Sequence, residues 1–308
     1  MRALVTGAGG QLGSTVGPAI RRSPAGHEVI EVDHSTLDIG DRDAVDAVVS
    51  DVVPDVIVNA AAMTDVDGCE RDPDAAYRCN ALALRHMGTA ADRIGAHVVH
   101  VSTDFVFSGD ADRPYTEWDA TDPASVYARS KLAGEHELAA SCRSWAVART
   151  SWVFGRPGGD FISWVLDTAR RGELRGVVDD ETGSPTLAAD LAGMLVRLAV
   201  EQRRGLFHVT NQGSCTRLEL AREILDIAGM EEGTAAGVAP SAIRSADLGR
   251  PAARPHYSVL DNAVLRLQGV ELLRHWKHAL ADYLQTSGLL AVAGSDPGGT
   301  TREAEVAP

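Results

Sequence analysis

Tyr127 and Lys131 stand four residues apart in the segment Tyr-Ala-Arg-Ser-Lys. On a helix, this spacing puts both side chains on one face. A free tyrosine has a pKa of about 10 and is a poor proton donor near neutral pH. A neighbouring ammonium favours the phenolate and lowers that pKa. The pair therefore predicts acid–base catalysis, although the same spacing also occurs in solvated pairs on helix surfaces.

A second hydroxyl group stands at the end of an apolar run. Ser102, Thr103 and Asp104 complete and follow a strand predicted over residues 97–102. In parallel α/β sheets, ligands bind at the carboxyl ends of the strands. The Thr103 hydroxyl is therefore expected to hydrogen-bond a substrate oxygen beside the tyrosine.

The first predicted strand, 2–6, runs into a loop with glycines at positions 7, 10 and 13. In the pattern G-x-x-G-x-x-G, Gly7 permits a tight turn and Gly10 lets backbone N–H groups approach a pyrophosphate. Gly13 lets the following helix pack close to the strand, so that the N-terminus of the helix faces the phosphates. A simple strand-to-helix turn also uses glycine, but the position between a strand and a helix predicts a dinucleotide site.

Two carboxylates are candidates for the adenosine end of such a cofactor. Asp33 ends the second predicted strand, 20 residues beyond Gly13. A carboxylate there accepts hydrogen bonds from ribose hydroxyls and repels a 2′-phosphate. The cofactor is therefore predicted to be NADH or NADPH, with the balance toward NADH. Asp38 either reaches the adenine or serves as a turn or cap residue.

Apolar runs alternate with helical patterns through the first half of the chain. This alternation predicts an α/β fold with a doubly wound, Rossmann-like parallel sheet that helices cover on both faces. Residues 1–150 are assigned to the dinucleotide-binding domain. One helix capped by Asp41 is expected to run to residue 53, and another to run unbroken from residue 72 to about residue 93. The further strands are predicted at 28–33, 56–59, 97–102 and 145–149.

Beyond residue 150 the pattern becomes less regular. Residues 151–286 are assigned mainly to a smaller C-terminal α/β domain that binds the substrate, with some segments returning to the first sheet. Thr186 is expected to cap one helix, and Thr216 with Glu219 forms a capping box for another. Residues 240–255 are predicted to be a loop. The small, polar residues 287–308 are predicted to be a disordered tail.

The bulk composition excludes several classes of partner. The 308 residues carry a formal net charge of −14, whereas binders of nucleic acid or anionic membranes need a basic surface. No run approaches the roughly 20 apolar residues of a membrane span. The first strand begins at Arg2, which leaves no room for a signal peptide, so we expect a cytoplasmic protein.

The potential metal ligands are scattered. His275 and His278 share a helical face, but no third ligand is near in sequence, so the sequence predicts no metal site. None of the cysteines lies in a Cys-x-x-Cys pair, and all are expected to be free thiols in a reducing compartment. The cysteines are Cys69, Cys79, Cys142 and Cys215.

Together these residues resemble the extended short-chain dehydrogenase/reductase superfamily and, within it, the dTDP-4-dehydrorhamnose reductases. The resemblance spans about residues 1–285. The segments that carry it are Asn59-Ala-Ala-Ala62, Val66-Asp67, Ser102-Thr-Asp-Phe-Val-Phe107, Arg149-Thr-Ser-Trp-Val-Phe154, Asp180-Glu-Thr-Gly-Ser-Pro-Thr186 and Arg254-Pro-His-Tyr-Ser-Val-Leu-Asp261.

The resemblance implies a role for each matching position. Tyr127 would protonate the C4 oxygen of a nucleotide-linked sugar, Thr103 would stabilise that oxygen, and Lys131 would orient the nicotinamide ribose and tune Tyr127. Asn80 matches a position that either supports a proton relay or packs. The residues implied to contact the sugar are Thr103, Asp104 and Trp152. Those implied to line the cofactor, besides Gly7, Gly13, Tyr127 and Lys131, are Gly10, Gln11, Leu12, Asp33, Asp38, Ile39, Ala62, Met63 and Thr64.

Two departures from the family pattern affect what can be carried over. Met63 stands where members often have an aromatic residue or histidine beside the nicotinamide. Some members bind magnesium through carboxylates at a dimer contact, but Thr15 occupies one of the matching positions. The sequence therefore predicts no metal and leaves a homodimer open.

Arg250 and Arg254 lie in the segment before Tyr257 and are candidates for the substrate diphosphate, although surface arginines would look the same. Two rival functions remain open. One is a nucleotide-sugar epimerase or dehydratase that uses bound NAD; Phe105 stands where dehydratases have a catalytic glutamate. The other is a regulatory subunit without activity, against which the joint presence of Thr103, Tyr127 and Lys131 argues.

Overall fold

A six-stranded sheet, parallel throughout, forms the centre of the protein in a computed structural model that describes residues 1–23, 25–155, 159–230 and 237–290. The strands are β1 (Arg2–Thr6), β2 (Glu28–Val32), β3 (Val56–Asn59), β4 (His97–Thr103), β5 (Trp145–Thr150), β6 (Val153–Phe154), β7 (Gly176–Val178), β8 (Thr182–Gly183), β9 (Thr186–Leu187), β10 (Gly205–His208), β11 (Cys215–Thr216) and β12 (Ser241–Ile243). The order across the sheet is β2-β1-β3-β4-β5-β10. The α/β fold with a doubly wound parallel sheet is thus confirmed.

Helices cover both faces of this sheet. They are α1 (Gly13–Arg21), α2 (Arg42–Val52), α3 (Val66–Arg71), α4 (Pro73–Tyr77), α5 (Ala83–Ile94), α6 (Val126–Ser141), α7 (Phe161–Arg170), α8 (Ala188–Val200), α9 (Arg217–Ile227), α10 (Ala263–Leu267) and α11 (Trp276–Thr286). A π-helical turn, Arg78–Leu82, joins α4 to α5, and short 3₁₀ turns cover Asp104–Val106 and Ser245–Leu248. No helix of the described residues is long and apolar enough to cross a membrane.

The alternation of side chains along the strands builds a core on each face of the sheet. On β1, Ala3 and Val5 join one buried apolar cluster with residues of α1 and α8. Leu4 points the other way and joins a second cluster with residues of α2 and α5. Because a strand exposes alternate residues to opposite faces, one apolar strand serves both layers.

The chain leaves β1 in one direction to form β2 and then returns to place β3 on the other side of β1. In open α/β sheets, ligands usually bind at the carboxyl ends of the strands where the strand order reverses in this way, here at β1 and β3. The loops that follow both strands therefore border a candidate site.

Several predicted boundaries change in the structure. The predicted helix 72–93 is wrong as a single helix, because the π-helical turn interrupts it. The predicted loop 240–255 contains β12, which pairs with β7. Thr186 lies in β9 and does not cap α8. The capping box of Thr216 and Glu219 on α9 is confirmed.

A separate apolar cluster in the C-terminal half packs α7, α9 and α11 together, around Phe161, Ile224 and Leu280. From this half, β10 returns to the main sheet and pairs with β5. Leu289 and Leu290 pack against the C-terminal cluster. The rest of the predicted disordered tail, 291–308, lies outside the described residues.

Candidate active site

Tyr127 and Thr103 meet where α6 begins and β4 ends. Ser125 caps α6 by accepting a hydrogen bond from the backbone N–H of Ala128, and Tyr127 follows in the first turn of the helix. The Tyr127 phenol lies close enough to the Thr103 hydroxyl for Thr103 to offset part of the rise in the pKa of Tyr127. Two residues 24 positions apart in the chain are therefore brought together at the carboxyl edge of the sheet.

The environment of Tyr127 favours the protonated phenol. Burial raises its pKa, and the nearby Thr103 hydroxyl opposes this only in part. The sequence-based expectation that a neighbouring ammonium lowers this pKa is therefore wrong in direction, because desolvation outweighs the favourable contacts of the phenolate. A phenol that stays protonated at neutral pH is in the correct state to donate a proton.

Lys131 is buried, with 3% of its surface exposed. Its ammonium nitrogen lies 2.8 Å from the carbonyl oxygen of Val101 and 3.3 Å from Nε2 of His100. Burial lowers the pKa of Lys131 to about 8, while Glu135 one turn along α6 acts in the opposite direction. Glu135 is itself held by the buried Arg149, at 2.7 Å.

Asp104 lies beside Thr103 and is almost fully buried, with 2% of its surface exposed. It accepts hydrogen bonds from the hydroxyls of Thr103, at 3.1 Å, and Ser151, at 2.9 Å. Burial raises the pKa of its carboxyl, and these hydroxyls with that of Ser258 offset part of the shift. The next residue, Phe105, turns the edge of its ring toward Tyr127 with the ring centres 5.8 Å apart.

The glycine loop after β1 leaves no room for side chains. Gly7 has a φ of +74°, and a β-carbon on it would lie 2.6 Å from the backbone nitrogen of Ala61. A β-carbon on Gly13 would lie 2.0 Å from the carbonyl oxygen of Gly7. The loop therefore closes on itself and on the segment after β3.

This loop fits the pyrophosphate of a dinucleotide. The backbone N–H of Gly10 bonds the Gly7 carbonyl at 2.9 Å, which turns the chain toward α1. In the described part of the chain, the backbone N–H groups of Gln11, Leu12 and Gly13 have no protein acceptor. Unsatisfied N–H groups at a helix N-terminus form a site for phosphate.

Asp33 follows β2 directly and borders this loop, since a β-carbon on Gly9 would lie 3.5 Å from that of Asp33. Its carboxylate accepts from the hydroxyl of Ser35 at 2.6 Å and from the backbone N–H of Ser35 at 2.9 Å. These bonds lower its pKa. Asp33 therefore presents a charged carboxylate beside the glycine loop.

Asp38 and Ile39 lie further along the same edge. Asp38 accepts from Arg78 at 2.8 Å and from the backbone of Gly40 at 2.9 Å, so one of its oxygens is held by an arginine of the π-helical turn. Ile39 is buried, with 6% of its surface exposed. The sequence prediction gave no sign of this ion pair.

Ala62, Met63 and Thr64 lie in the segment after β3. Asn80 holds the Met63 backbone from both sides, accepting from its N–H at 2.9 Å and donating to its carbonyl at 3.1 Å. Asn80 also donates to the Ser130 hydroxyl on α6, at 3.0 Å. It therefore ties the segment after β3 to the helix that carries Tyr127.

A comparison with known families decides which group this site belongs to. A family model described as the RmlD substrate binding domain matches residues 1–288. The chain belongs to this family. Within the RmlD substrate-binding domain family, the chain is similar to the dTDP-4-dehydrorhamnose reductase of Mycobacterium tuberculosis. The two are 41% identical over 292 residues, which cover 92% of this chain and 92% of the relative.

Two further similarities extend this family comparison. The dTDP-4-keto-6-deoxy-D-glucose reductase of Streptomyces niveus is 36% identical over 280 residues, covering 91% of this chain and 95% of the relative. The crystal structure of a Bacillus anthracis dTDP-4-dehydrorhamnose reductase in complex with NADP superimposes with a TM-score of 0.87 at 34% identity, covering 92% of this chain and 98% of that one.

In this member of the RmlD substrate-binding domain family, Trp152 has a φ of +43°, which is uncommon for a residue with a side chain. The guanidinium carbon of Arg217 lies 3.7 Å from the centre of its ring. A β-carbon on Gly183 would lie 2.5 Å from the same indole, so the indole is also packed against a backbone. Sequence analysis missed Arg217, because its only sequence signal was a place beside the capping residue of α9.

The two arginines predicted to bind the diphosphate are both held in ion pairs. Arg250 lies 3.0 Å from Glu181, and the side chains of both are at most 10% exposed. Arg254 forms two 3.0 Å bonds with Asp67 on α3, which lower the pKa of that carboxyl. By contrast, the guanidinium of Arg217 has no hydrogen-bond acceptor within the described residues.

No group of three or more histidine, cysteine, aspartate or glutamate side chains in the described ranges is placed to hold a metal ion. At the position where some RmlD family members carry a metal-binding carboxylate, the Thr15 hydroxyl donates to the carbonyl of Leu12 at 2.7 Å and to that of Ala188 at 3.3 Å. This residue thus joins α1 to α8.

Proposed function

We propose that the chain is an NAD(P)H-dependent reductase that reduces the C4 ketone of a dTDP-4-dehydro-6-deoxysugar, with dTDP-4-dehydrorhamnose as the first substrate to test. The observation that carries the proposal is the proximity of the Tyr127 phenol to the Thr103 hydroxyl at the carboxyl edge of the sheet. It places a protonated phenol and a second hydroxyl side by side. The similarity to reductases over more than nine-tenths of the chain supports the same chemistry.

A bound nicotinamide would supply the hydride in this reaction. Tyr127 donates its proton to the C4 oxygen of the sugar. Thr103 donates a hydrogen bond to the same oxygen as negative charge develops on it. Lys131 binds the ribose hydroxyls of the nicotinamide half. The glycine loop, including Gln11 and Leu12, binds the pyrophosphate.

The choice between the two cofactors rests on Asp33. Its lowered pKa keeps the carboxylate charged at neutral pH, which favours ribose hydroxyls and repels a 2′-phosphate. No arginine follows Asp33 directly in the sequence. We therefore expect NADH to be the better cofactor, with NADPH accepted.

The sugar and the diphosphate lie toward the C-terminal half. Asp104 and Trp152 contact the sugar in this proposal. Arg250 and Arg254 remain candidates for the diphosphate, although each also holds a carboxylate. We add Arg217 to them, because its planar guanidinium matches the geometry of a phosphate and makes no hydrogen bond to a carboxylate of the described residues, although Glu181 and Asp104 are near enough to favour its charge.

An oxidation assay tests the proposal. Purified protein is mixed with NADH or NADPH and enzymatically made dTDP-4-dehydrorhamnose, and the loss of reduced-nicotinamide absorbance is followed. We expect one cofactor oxidised for each sugar reduced. Tyr127→Phe should lower kcat by roughly 100- to 10,000-fold while binding NADH normally, since only the proton donor is lost.

Other outcomes would favour the rivals. An epimerase regenerates its cofactor, so conversion of the sugar without net oxidation would contradict the proposal. Protein that binds cofactor but leaves every keto-sugar unchanged would favour a regulatory subunit. We place the reaction in the cytoplasm, and sedimentation equilibrium of the purified chain decides whether it forms a homodimer.

A further inference from the structure

A buried line of hydrogen bonds crosses the sheet beneath the proposed active site. It begins at Thr6 on β1, whose hydroxyl donates to Oδ1 of Asn59 on β3 at 2.6 Å. Nδ2 of Asn59 lies 2.9 Å from Nδ1 of His100 on β4. Nε2 of His100 lies 3.3 Å from the side-chain nitrogen of Lys131 on α6. All four side chains are at most 3% exposed, so these contacts are shielded from bulk solvent.

The direction of the first bonds is fixed by the backbone. Oδ1 of Asn59 also accepts from the backbone N–H of Ala61, at 3.1 Å. A backbone N–H can only donate, so the amide oxygen must stay on this side and the NH₂ group must face His100. The NH₂ group also only donates. Nδ1 of His100 therefore presents its lone pair to Asn59.

A neutral imidazole with a bare Nδ1 carries its proton on Nε2. That N–H points at the nitrogen of Lys131. An ammonium has no lone pair to accept it, whereas a neutral amine has one and still donates to the Val101 carbonyl at 2.8 Å. If His100 were protonated on both nitrogens, its Nδ1–H would face the NH₂ group of Asn59. If the Asn59 amide were rotated, its NH₂ group would face the backbone N–H of Ala61. A neutral Lys131 is the arrangement that satisfies every group.

We propose that His100 is a positioning residue of the reductase suggested above, which donates from Nε2 to the neutral form of Lys131 and so favours loss of the proton from this lysine. The hydrogen bonds of Asn59 with Thr6 and His100 fix the tautomer that this role requires. Lys131 then acquires its charge by binding a proton close to neutral pH. The charge of Lys131 thus depends on a histidine that contacts neither substrate nor cofactor in the proposed function.

The charges of the groups around His100 and Lys131 are consistent with donation from His100 to a neutral lysine. Burial holds the pKa of His100 well below its usual range, so the imidazole is neutral. The Cys79 thiol of the π-helical turn has a pKa raised by burial and carries no charge at neutral pH. Glu135 on α6 favours the ammonium, but it is bonded to Arg149 on β5 and Ser102 on β4.

The chain offers a direct test because it contains two lysines, Lys131 and Lys277. Protein labelled with ¹³C at lysine Cε gives one NMR signal from each, and Lys277→Arg assigns them. Lys277 is bonded to Glu223 at 2.6 Å, which raises its pKa and makes it an internal reference. We expect Lys131 to titrate well below Lys277, and equal titration of the two would overturn the proposal.

The histidine tautomer is a second readout that requires no substitution in the line. The protein is labelled with ¹⁵N at histidine, and the His100 signals are assigned as those absent from His100→Gln. We expect the nitrogen shifts of a neutral ring that is protonated at Nε2. A ring protonated at Nδ1 would overturn the proposal. Because neither measurement uses a nucleotide sugar, failure of the reductase assay and failure of this inference are distinguishable.

Asn59→Asp tests the link between the two ends of the line. A carboxylate accepts from Nδ1–H of His100, so the proton moves and Nε2 turns a lone pair to Lys131. We expect the pKa of Lys131 to rise by at least about one unit, and His100→Gln to raise it as well by offering a carbonyl acceptor. An unchanged Lys131 titration in both folded variants would contradict the proposal. Wild-type measurements decide the case if the variants do not fold.

Discussion

Gly134 on α6 faces the carbonyl oxygen of Asn80 so closely that a β-carbon on the glycine would lie 2.0 Å from that oxygen. The contact joins the helix that carries Tyr127 and Lys131 to the π-helical turn that holds Met63. The position of the candidate catalytic pair relative to the segment after β3 thus depends on the absence of one side chain.

We expect Gly134→Ala to push α6 away from the π-helical turn. Overpacking of this kind costs about 1–3 kcal/mol of unfolding free energy, and kcat should fall because Tyr127 moves from Thr103. Urea unfolding and steady-state kinetics measure the two effects. Gly193→Ala on α8 is the matched control, since a β-carbon there meets nothing within 4 Å.

The control should change stability in the opposite direction. Alanine is favoured over glycine inside a helix by about 0.5–1 kcal/mol, so Gly193→Ala should stabilise the protein slightly and leave kcat unchanged. A Gly134→Ala protein as stable and active as the wild type would show that α6 and the π-helical turn can separate without cost.

Asp33→Ser should change cofactor choice. Removing the carboxylate relieves its repulsion of a 2′-phosphate and removes an acceptor for ribose hydroxyls. We expect the ratio of kcat/KM for NADPH to that for NADH to rise at least about tenfold, or about 1.4 kcal/mol. Asp51→Ser, exposed on α2, controls for the change in net charge. Equal ratios in the two variants would remove Asp33 from the cofactor site.

Arg217→Gln tests the proposed diphosphate contact. Hydrogen bonds to charged groups are worth about 1.5–3 kcal/mol, so KM for the nucleotide sugar should rise roughly 10- to 100-fold while kcat changes less. Binding of dTDP, measured by calorimetry, should weaken in parallel. Arg217→Lys should keep part of the affinity because it keeps the charge.

Arg222→Gln, exposed on the same helix, is the control for the loss of one positive charge. It should bind dTDP as the wild type does. If Arg217→Gln does so as well, and Arg250→Gln does not, the diphosphate contact belongs to Arg250.

Buried histidines should make the fold sensitive to acid. Burial lowers the pKa of His97 to about 4 and that of His208 to about 3, below the ordinary value of 6.5. Below pH 6.5, His97 and His208 therefore bind protons in the unfolded chain but not in the folded chain. Stability is full above that pH and falls as the pH drops toward 4, by up to about 1.4 kcal/mol per pH unit for each histidine.

The measurement is the unfolding free energy in urea at several values between pH 7 and pH 4.5. His97→Asn keeps a polar group near Ser144, its present partner at 3.0 Å, but removes the titration. We expect the variant to lose stability more gradually with falling pH than the wild type. Parallel curves for the two proteins would mean that His97 accepts a proton without unfolding.

Much of the fold and of the candidate site could be predicted because the signals are local. The spacing of Gly7, Gly10 and Gly13 determines a turn within one strand–loop–helix unit. The four-residue step from Tyr127 to Lys131 determines a shared face of one helix. Alternating apolar segments likewise predicted the parallel sheet, since each strand needs only its own residues to be recognised.

The remaining features join segments that are distant in sequence, and only the tertiary structure decided them. Arg217 reaches Trp152 from a helix 65 residues away, and Asn80 meets Gly134 across 54 residues. The pKa of Tyr127 was predicted in the wrong direction because a neighbour in sequence can be inferred, whereas burial depends on every element packed around it. A sequence determines what each short segment can present; the path of the chain determines which segments meet and which groups lose their water.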